Sequence, residues 1–186
     1  MKVIEQLLTS AGISPIAGVD EAGRGACAGP LVIASVVLND PFAPELAVVR
    51  DSKEIAENKR HAVFDLIYQV AASVSVVIVS ASEVDARGVH AANLDGMRRA
   101  VQGLTVEPAY VLTDGYAIEG LGVPNLAVWK GDQVVVSISA ASVIAKVTRD
   151  RIMREMDLEF PHYGFAGHKG YITAAHTKAL NEHGAC

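Results

Sequence analysis

The sequence is poor in cysteine, which excludes two kinds of small stabilised domain. Only two of the 186 residues are cysteines, and Cys27 and Cys186 stand far apart without a CxxC spacing. This arrangement argues against a disulfide framework and against a zinc site built on thiolates. Because Cys27 stands among small residues, we expect it to be a buried thiol.

Long apolar runs are also missing. The longest run, Leu31 to Leu38, is well short of the roughly 18 residues that span a bilayer as a helix, and residues 1–10 lack the layout of a signal peptide. We therefore expect no membrane segment and a soluble, cytoplasmic protein. The six histidines form no HExxH or similar ligand set, so we assign none to a metal and expect His176 and His183 to lie at the surface.

A strong positive charge is absent as well. The formal net charge is −5, which argues against a protein that holds nucleic acid by bulk attraction. A nucleic-acid partner would need local recognition, and acids gathered at a metal site would explain part of the charge. Because 51% of the residues are hydrophobic, we expect residues 1–186 to form one domain with a sizeable core.

Short apolar runs alternate with helical patterns along the chain. Runs that are rich in β-branched residues and bounded by turn residues predict five strands, at 16–19, 31–38, 74–79, 110–113 and 126–129. Helical periodicity predicts helices at about 62–70, 90–104, 138–160 and 173–183. The first two strands are joined by a short glycine-rich segment and should be antiparallel, whereas the later alternation indicates crossover helices. The sequence therefore predicts an α/β fold, a five-stranded mixed sheet flanked by helices with a C-terminal helical segment.

Four acidic residues stand at the ends of predicted strands. Asp20 and Glu21 follow the first strand, Asp114 closes the fourth, and Asp132 comes shortly after the fifth. Each acid also fits a structural role: Asp20 and Glu21 suit a charged turn, Asp114 an Asp-Gly turn, and Asp132 the N-cap of the following helix.

Taken together, the four acids could converge on one pocket, because strand ends of α/β sheets are favoured positions for sites. Like charges brought together cost stability unless cations neutralise them. Carboxylate oxygens are the ligands that Mg²⁺ and Mn²⁺ prefer. Two such ions, about 3.5 to 4 Å apart, could activate water and stabilise the leaving oxygen of a phosphodiester.

Several other residues are candidates for contact with a nucleic-acid strand. Ser139, Ser142, Lys146 and Arg149 fall on one helical seam, which could grip phosphates or could simply be a solvated face. The glycines around Arg24 let backbone amides approach a strand closely.

Two further positions are ambiguous in the same way. Within Asp51-Ser52-Lys53, Ser52 suits a helix cap and Lys53 could reach a backbone phosphate. Tyr171, next to His168-Lys169-Gly170, suits packing against a sugar or base, and it equally suits filling the edge of the core.

Read jointly, these motifs resemble those of bacterial ribonuclease HII in order and spacing. The resemblance covers nearly the whole chain from Ala17 onward, and the segment 25–30 resembles the actinobacterial branch. In chain order the motifs are Asp20-Glu21-Ala22-Gly23-Arg24-Gly25, Asp51-Ser52-Lys53, Asp114-Gly115, Lys130-Gly131-Asp132, residues 139–150, and Gly164-Phe165 with His168-Lys169-Gly170-Tyr171.

The resemblance implies a ribonuclease H-like fold and a single catalytic domain. It implies endonucleolytic hydrolysis of RNA in RNA-DNA hybrids and incision at a single ribonucleotide in duplex DNA, leaving a 3′-hydroxyl and a 5′-phosphate. Water would be the nucleophile, and Mg²⁺ or Mn²⁺ the cofactor. The enzyme would be a monomer, and docking to a replication clamp stays open.

The resemblance also implies roles for single residues. It makes Asp20, Glu21, Asp114 and Asp132 the catalytic, metal-binding carboxylates. Gly23, Arg24 and Gly25 would recognise the ribose 2′-hydroxyl, the group that distinguishes RNA from DNA, and Tyr171 would pack against the neighbouring deoxyribose. Lys53, Ser142, Lys146 and Arg149 would contact phosphates.

The pattern departs from the family in two places, and a rival function is compatible with the motifs. Family members commonly continue beyond the position of Cys186, and Tyr116 stands where asparagine is frequent. Type HIII enzymes usually have an added N-terminal domain and a different residue at the position of Arg24, which favours type HII. The rival is a catalytically silent nucleic-acid-binding or partner-docking domain, which the presence of all four acids disfavours.

Overall fold

A five-stranded sheet forms the centre of the computed structural model, which describes residues 3–49 and 55–186. The strands lie in the order β3-β2-β1-β4-β5. β1 pairs antiparallel with β2, and β2 with β3, whereas β1–β4 and β4–β5 are parallel. The strands are β1 (Ile16–Ala22), β2 (Leu31–Leu38), β3 (Ala71–Val79), β4 (Tyr110–Asp114) and β5 (Asn125–Val128). The predicted mixed sheet and the antiparallel first pair are confirmed.

Helices cover both faces of the sheet. The long helix α6 and α2 pack on one face and α4 on the other. All eight residues of β2 are buried, as expected for a strand covered on both sides. The helices are α1 (Val3–Ser10), α2 (Glu57–Val70), α3 (Ala81–Arg87), α4 (Val89–Gln102), α5 (Gly131–Val134), α6 (Val136–Glu159), α7 (Phe165–His168) and α8 (Ala174–His183), with a 3-10 turn at Pro44–Val48.

Helix α6 lies directly on β1, and a glycine permits the approach. A Cβ atom at Gly18 would lie 2.1 Å from the carbonyl carbon of Ser137, so no other residue fits there without moving the helix. Because α6 carries Ser142 and Lys146 and β1 carries Asp20, this contact sets the distance between two groups of candidate site residues.

A buried carboxylate from the start of the chain caps α6. Glu5, on α1, is 1% exposed, and its two carboxylate oxygens accept hydrogen bonds from the backbone N–H groups of Val136 and Ser137 at 2.9 and 3.0 Å. These are donors that a helix leaves without partners at its first turn. The N-cap role considered for Asp132 is therefore wrong for α6, since Asp132 belongs to the separate turn α5.

Within the described part of the chain, no helix combines the length and the apolar content that crossing a bilayer requires.

Candidate active site

The sheet brings three of the predicted acids together. Val19 and Thr113 are paired on the parallel strands β1 and β4, so Asp20 and Asp114, the next residues, lie side by side at the carboxyl end of this pair. Asp132 joins them from α5, which follows β5. One carboxylate oxygen of each lies within 4.8 Å of those of the other two.

Glu21 occupies a different position from these three. Successive side chains of a strand point to opposite faces, and Asp20 lies on the α6 side with Gly18, so Glu21 points to the other side. It is not a member of the three-carboxylate group, although it borders the pockets on both sides of that group.

Hydrogen bonds hold the acid cluster in place. Asp114 Oδ1 accepts from the backbone N–H of Gly131 at 2.7 Å, which fastens the turn that carries Asp132. Asp20 Oδ1 accepts from the backbone N–H of Glu21 at 2.7 Å, and the Ser142 side chain also hydrogen-bonds to Asp20.

The electrostatics of Asp20 match a site built for a cation. Burial raises the pKa of Asp20 well above its usual value, and the negative charges of Glu21 and Asp114 raise it further, whereas the hydrogen bonds from Ser142 and the Glu21 amide act in the opposite direction. A divalent cation among these oxygens would supply the missing positive charge. The donor set consists of hard carboxylate oxygens and therefore fits Mg²⁺ or Mn²⁺.

A pocket of about 430 Å³ opens beside the acids, and most of the predicted contact residues line it. We call it the glycine-turn pocket. Its lining residues are Asp20, Glu21, Ala22, Gly23, Arg24, Gly25, Asp114, Ser142, Lys146 and Tyr171.

One wall of this pocket is the turn at residues 23–25. Gly23 has φ +104°, and a Cβ atom there would lie 2.2 Å from Nε of Arg149, so only glycine fits. The Gly23 carbonyl accepts a hydrogen bond from the Ala26 N–H at 3.0 Å, which closes the turn. The Cβ position of Gly25 is 3.8 Å from Cε1 of Tyr171, so the turn faces the tyrosine ring.

Arg149 does not reach the pocket, and the predicted phosphate contact by Arg149 is wrong. The residue is 0% exposed, and burial lowers the pKa of its guanidinium. Nε, Nη1 and Nη2 donate to the carbonyls of Pro30, Lys169 and Ala28 at 2.8, 2.8 and 3.0 Å. Arg149 therefore ties the glycine turn's loop and the segment before Tyr171 to α6.

The opposite wall is Tyr171, which a buried histidine supports. The Tyr171 ring is partly exposed. The backbone carbonyl of Tyr171 lies 3.0 Å from Nδ1 of His176. His176 is 1% exposed and stacks on His168 with the ring centroids 4.3 Å apart. The expected surface position of His176 is thus wrong, because α8 folds its N-terminal turn against this segment.

The remaining predicted contact residues have distinct surroundings. Lys146 lines the pocket while its Nζ atom pairs with Asp150 at 2.7 Å. Ser142 is buried beside Asp20, and Ser139 is buried with its hydroxyl on the carbonyls of Asp132 and Val135. Lys53 lies outside the described residues.

Two aromatic residues near the acids were not predicted as site residues, and Cys27 differs from expectation. Tyr116 lies under the Arg24 guanidinium, whose Cζ atom is 4.5 Å from the ring centroid. Trp129 is exposed beside Asp114 and Asp132. The sequence places Trp129 only at a strand end, and its exposure depends on β5 being an edge strand. Cys27 is exposed rather than buried, because its loop lies at the surface.

Comparison with known proteins identifies the family. The family model for ribonuclease HII matches residues 17–186. Ribonuclease HII of Acidothermus cellulolyticus is 56% identical over 182 residues, which cover 98% of this chain and 59% of that protein. Ribonuclease HII of Mycolicibacterium smegmatis is 54% identical over 186 residues, covering 100% of this chain and 68% of that protein.

A solved structure supports the same assignment at the level of the fold. The match is to the PCNA:RNase HII complex from Archaeoglobus fulgidus, with a TM-score of 0.80 and 26% identity over 91% of this chain and 88% of that one. This match confirms the predicted ribonuclease H-like fold. By sequence and by fold, the chain belongs to the ribonuclease HII family.

Proposed function

We propose that the chain is a metal-dependent endonuclease that hydrolyses the RNA strand of RNA-DNA hybrids and incises duplex DNA at a single embedded ribonucleotide. We further propose that it acts as a monomeric, cytoplasmic enzyme with one catalytic domain over residues 1–186. The observation that carries the proposal is the group of three carboxylates, within 4.8 Å of one another, at the edge of the glycine-turn pocket.

In this proposal the acids hold the cofactor. Asp20, Asp114 and Asp132 would bind Mg²⁺ or Mn²⁺, with Glu21 contributing from the side of the cluster. Two bound ions would activate the attacking water and stabilise the leaving 3′-oxygen, which gives a 3′-hydroxyl and a 5′-phosphate. Ser142 keeps the Asp20 carboxylate oriented through its hydrogen bond.

The glycine turn and Tyr171 select the substrate. Without side chains at Gly23 and Gly25, the backbone of the turn can approach a sugar closely enough to hydrogen-bond its 2′-hydroxyl, which DNA lacks. The Tyr171 ring faces this turn and supplies a flat surface for the adjoining deoxyribose. Substrate selection would therefore take place across a single pocket.

Basic side chains at the pocket contact the nucleic-acid strand. Arg24 and Lys146 line the glycine-turn pocket, and they would neutralise phosphates on either side of the cleaved bond. Lys53 would add a contact from the segment outside the described residues. The protein in the Archaeoglobus fulgidus complex is bound to PCNA, and clamp docking by this chain is a separate proposal that a pull-down with a replication clamp would test.

The acid cluster favours the enzyme over a silent binding domain. Crowded carboxylates repel the phosphates of a nucleic acid and destabilise the fold unless a cation is bound. A domain that only bound nucleic acid would have no use for them.

The test is cleavage of a DNA duplex that carries one ribonucleotide, with Mg²⁺ or Mn²⁺ and an all-DNA duplex as the control. We expect a single cut at the ribonucleotide and none in the control. Asp114→Asn should bind the duplex and fold normally but cut at least about a hundredfold more slowly, because a neutral amide replaces one of the negatively charged carboxylate ligands of the metal. Binding without any cut by the wild-type protein in either metal would favour the silent domain.

A further inference from the structure

The single tryptophan of the chain is almost fully exposed beside the acid cluster. Trp129 is 81% exposed, whereas tryptophan is usually among the more buried residues of soluble proteins. At the rim of a site, an aromatic side chain of this size offers a flat apolar surface that a ligand can cover.

Trp129 lines a second pocket, of about 320 Å³, that we call the tryptophan pocket. It shares Glu21, Arg24 and Asp114 with the glycine-turn pocket, so the two pockets flank the same acids. The lining residues of the tryptophan pocket are Glu21, Arg24, Asp114, Gly115, Tyr116, Trp129, Lys130, Asp132 and Gln133.

The backbone holds Trp129 in place. Val128, the preceding residue, is paired with Asp114, and its carbonyl accepts a hydrogen bond from the Gly115 N–H at 3.0 Å. Lys130, the following residue, adopts a left-handed conformation with φ +52°, which turns the chain into α5. The same turn positions Asp132, so the backbone from which the indole projects is fixed relative to the acid cluster.

The partner that fits the tryptophan pocket is the substrate strand. This choice rests on the proposed function. A strand whose cleaved phosphate lies at the carboxylates must continue to both sides of them. One side leads to the Gly25–Tyr171 wall, and the other passes over Trp129. Arg24 and Lys130 supply cations on this second side, which suits a phosphate backbone.

We propose that Trp129 packs against a nucleotide of the substrate, on the opposite side of the cleaved bond from Tyr171. The indole would contact the sugar or base of that nucleotide, while Arg24 and Lys130 contact its phosphates. Duplex binding would then depend on two aromatic side chains, one on each side of the acids.

The tryptophan itself reports the contact, because the chain has no other. In the free protein its emission should be typical of a hydrated indole and strongly quenched by acrylamide. Saturation with the all-DNA duplex, which is not cut, should shift the emission to shorter wavelength and protect it from acrylamide. The same change is expected when Asp114→Asn is saturated with the ribonucleotide duplex.

Substitutions of Trp129 measure how much the contact contributes to duplex binding. Trp129→Ala should raise the Kd for a labelled duplex, and the KM for cleavage, by about 5- to 30-fold, as expected when one stacked nucleotide is lost. The value of kcat should stay within about twofold, and Trp129→Phe should retain most of the affinity because it keeps an aromatic ring. Leu158→Ala is the matched control, since Leu158 is 83% exposed on α6 and lines neither pocket.

The two proposals fail in different ways. If the wild-type protein cuts the ribonucleotide duplex but Trp129→Ala leaves Kd and KM unchanged, the tryptophan contact is overturned and the nuclease proposal stands. An emission spectrum that does not respond to saturating duplex, or an equal loss of affinity in Leu158→Ala, would also overturn it. If the wild-type protein binds without cutting while Trp129 still responds, the nuclease proposal fails and the contact stands.

Discussion

At the scale of single residues, Asp20 shows the electrostatic cost of crowding acids into one cluster. Its pKa is raised first by burial and then by the charges of Glu21 and Asp114. In the unfolded chain the carboxyl group titrates near its ordinary pKa of about 3.9. The stability that comes from keeping it neutral is therefore complete below about pH 4 and is lost as the pH rises through the raised pKa of the folded state.

The raised pKa of Asp20 predicts that Asp20→Asn stabilises the metal-free protein at neutral pH. In EDTA at pH 7 we expect a gain of about 1 kcal/mol in the free energy of unfolding, because a buried like charge is removed. The gain should shrink as the pH falls and approach zero below about pH 4, where Asp20 is neutral in both the folded and the unfolded state. Urea denaturation at several pH values measures it.

The control for this measurement is Asp65→Asn, which removes an exposed carboxylate on α2. It should change the stability by less than about 0.5 kcal/mol at every pH. A destabilised Asp20→Asn protein at pH 7 would contradict the electrostatic account.

Tyr171 supports a second prediction at this scale. Tyr171→Ala should lower kcat/KM at a single ribonucleotide by about 5- to 150-fold, because a packed ring contributes roughly 1 to 3 kcal/mol. The melting temperature should change little because the ring is partly exposed. Tyr171→Phe should keep most of the activity. Cleavage assays with Tyr68→Ala, an exposed tyrosine on α2, provide the comparison, and unchanged kcat/KM in Tyr171→Ala would rule out the packing role.

From the sequence, the acidic residues that meet in the site can be predicted, but the surroundings of the basic side chains cannot. Strand ends are visible in the sequence, so the meeting of Asp20, Asp114 and Asp132 could be expected. Arg149 could not be assigned, because helical spacing separates one face from another but does not say which faces are covered. Since α6 is buried on most of its circumference, the Arg149 guanidinium on its polar seam donates to backbone carbonyls instead of reaching solvent.

At the scale of secondary structure elements, the contact between α1 and α6 is the one that could not be foreseen. Strand and helix patterns depend on neighbours within a few residues, and the five strands were predicted on that basis. The hydrogen bonds from Val136 and Ser137 to Glu5 join residues 131 and 132 positions apart. No local pattern reports such a pair.

Glu5 yields a prediction about this element. Glu5→Ala should lower the free energy of unfolding by about 2 to 4 kcal/mol, because two buried N–H groups at the start of α6 lose a charged acceptor. The free energy of unfolding of Glu5→Gln should lie between those of the wild type and Glu5→Ala, since the glutamine amide oxygen can still accept a hydrogen bond. Thermal or urea denaturation measures both, and Gln6→Ala, an exposed change on the same helix, should have little effect. Equal stability of Glu5→Ala and Gln6→Ala would show that the cap contributes nothing.

At the scale of the whole molecule, the proposed function implies that cation binding links stability to activity. The protein carries a formal net charge of −5, and three of its acids are held within 4.8 Å of one another. A ligand that binds only the folded state stabilises it in proportion to the logarithm of its excess over Kd.

Mg²⁺ or Mn²⁺ should therefore raise the melting temperature. At a cation concentration of about 100 times the Kd, the free energy of unfolding should rise by about 2.7 kcal/mol. For a protein of this size, that corresponds to a rise of roughly 5 to 10 °C in the melting temperature. Calorimetry with a monovalent salt at matched ionic strength separates the effect from screening. Asp132→Asn should reduce the gain, and an unchanged gain in that variant would place the cation elsewhere.

The contact between Gly18 and Ser137 has a consequence for enzyme engineering. A methyl group at Gly18 would begin 2.1 Å from the Ser137 carbonyl carbon, whereas ordinary contacts start at 3.4 Å, so α6 would have to retreat by roughly an ångström. That retreat would widen the gap between Asp20 on β1 and Ser142 and Lys146 on α6, which line the glycine-turn pocket together. Gly18 thus acts as a spacer of minimum thickness, and the width of the glycine-turn pocket is set by a residue that does not line it.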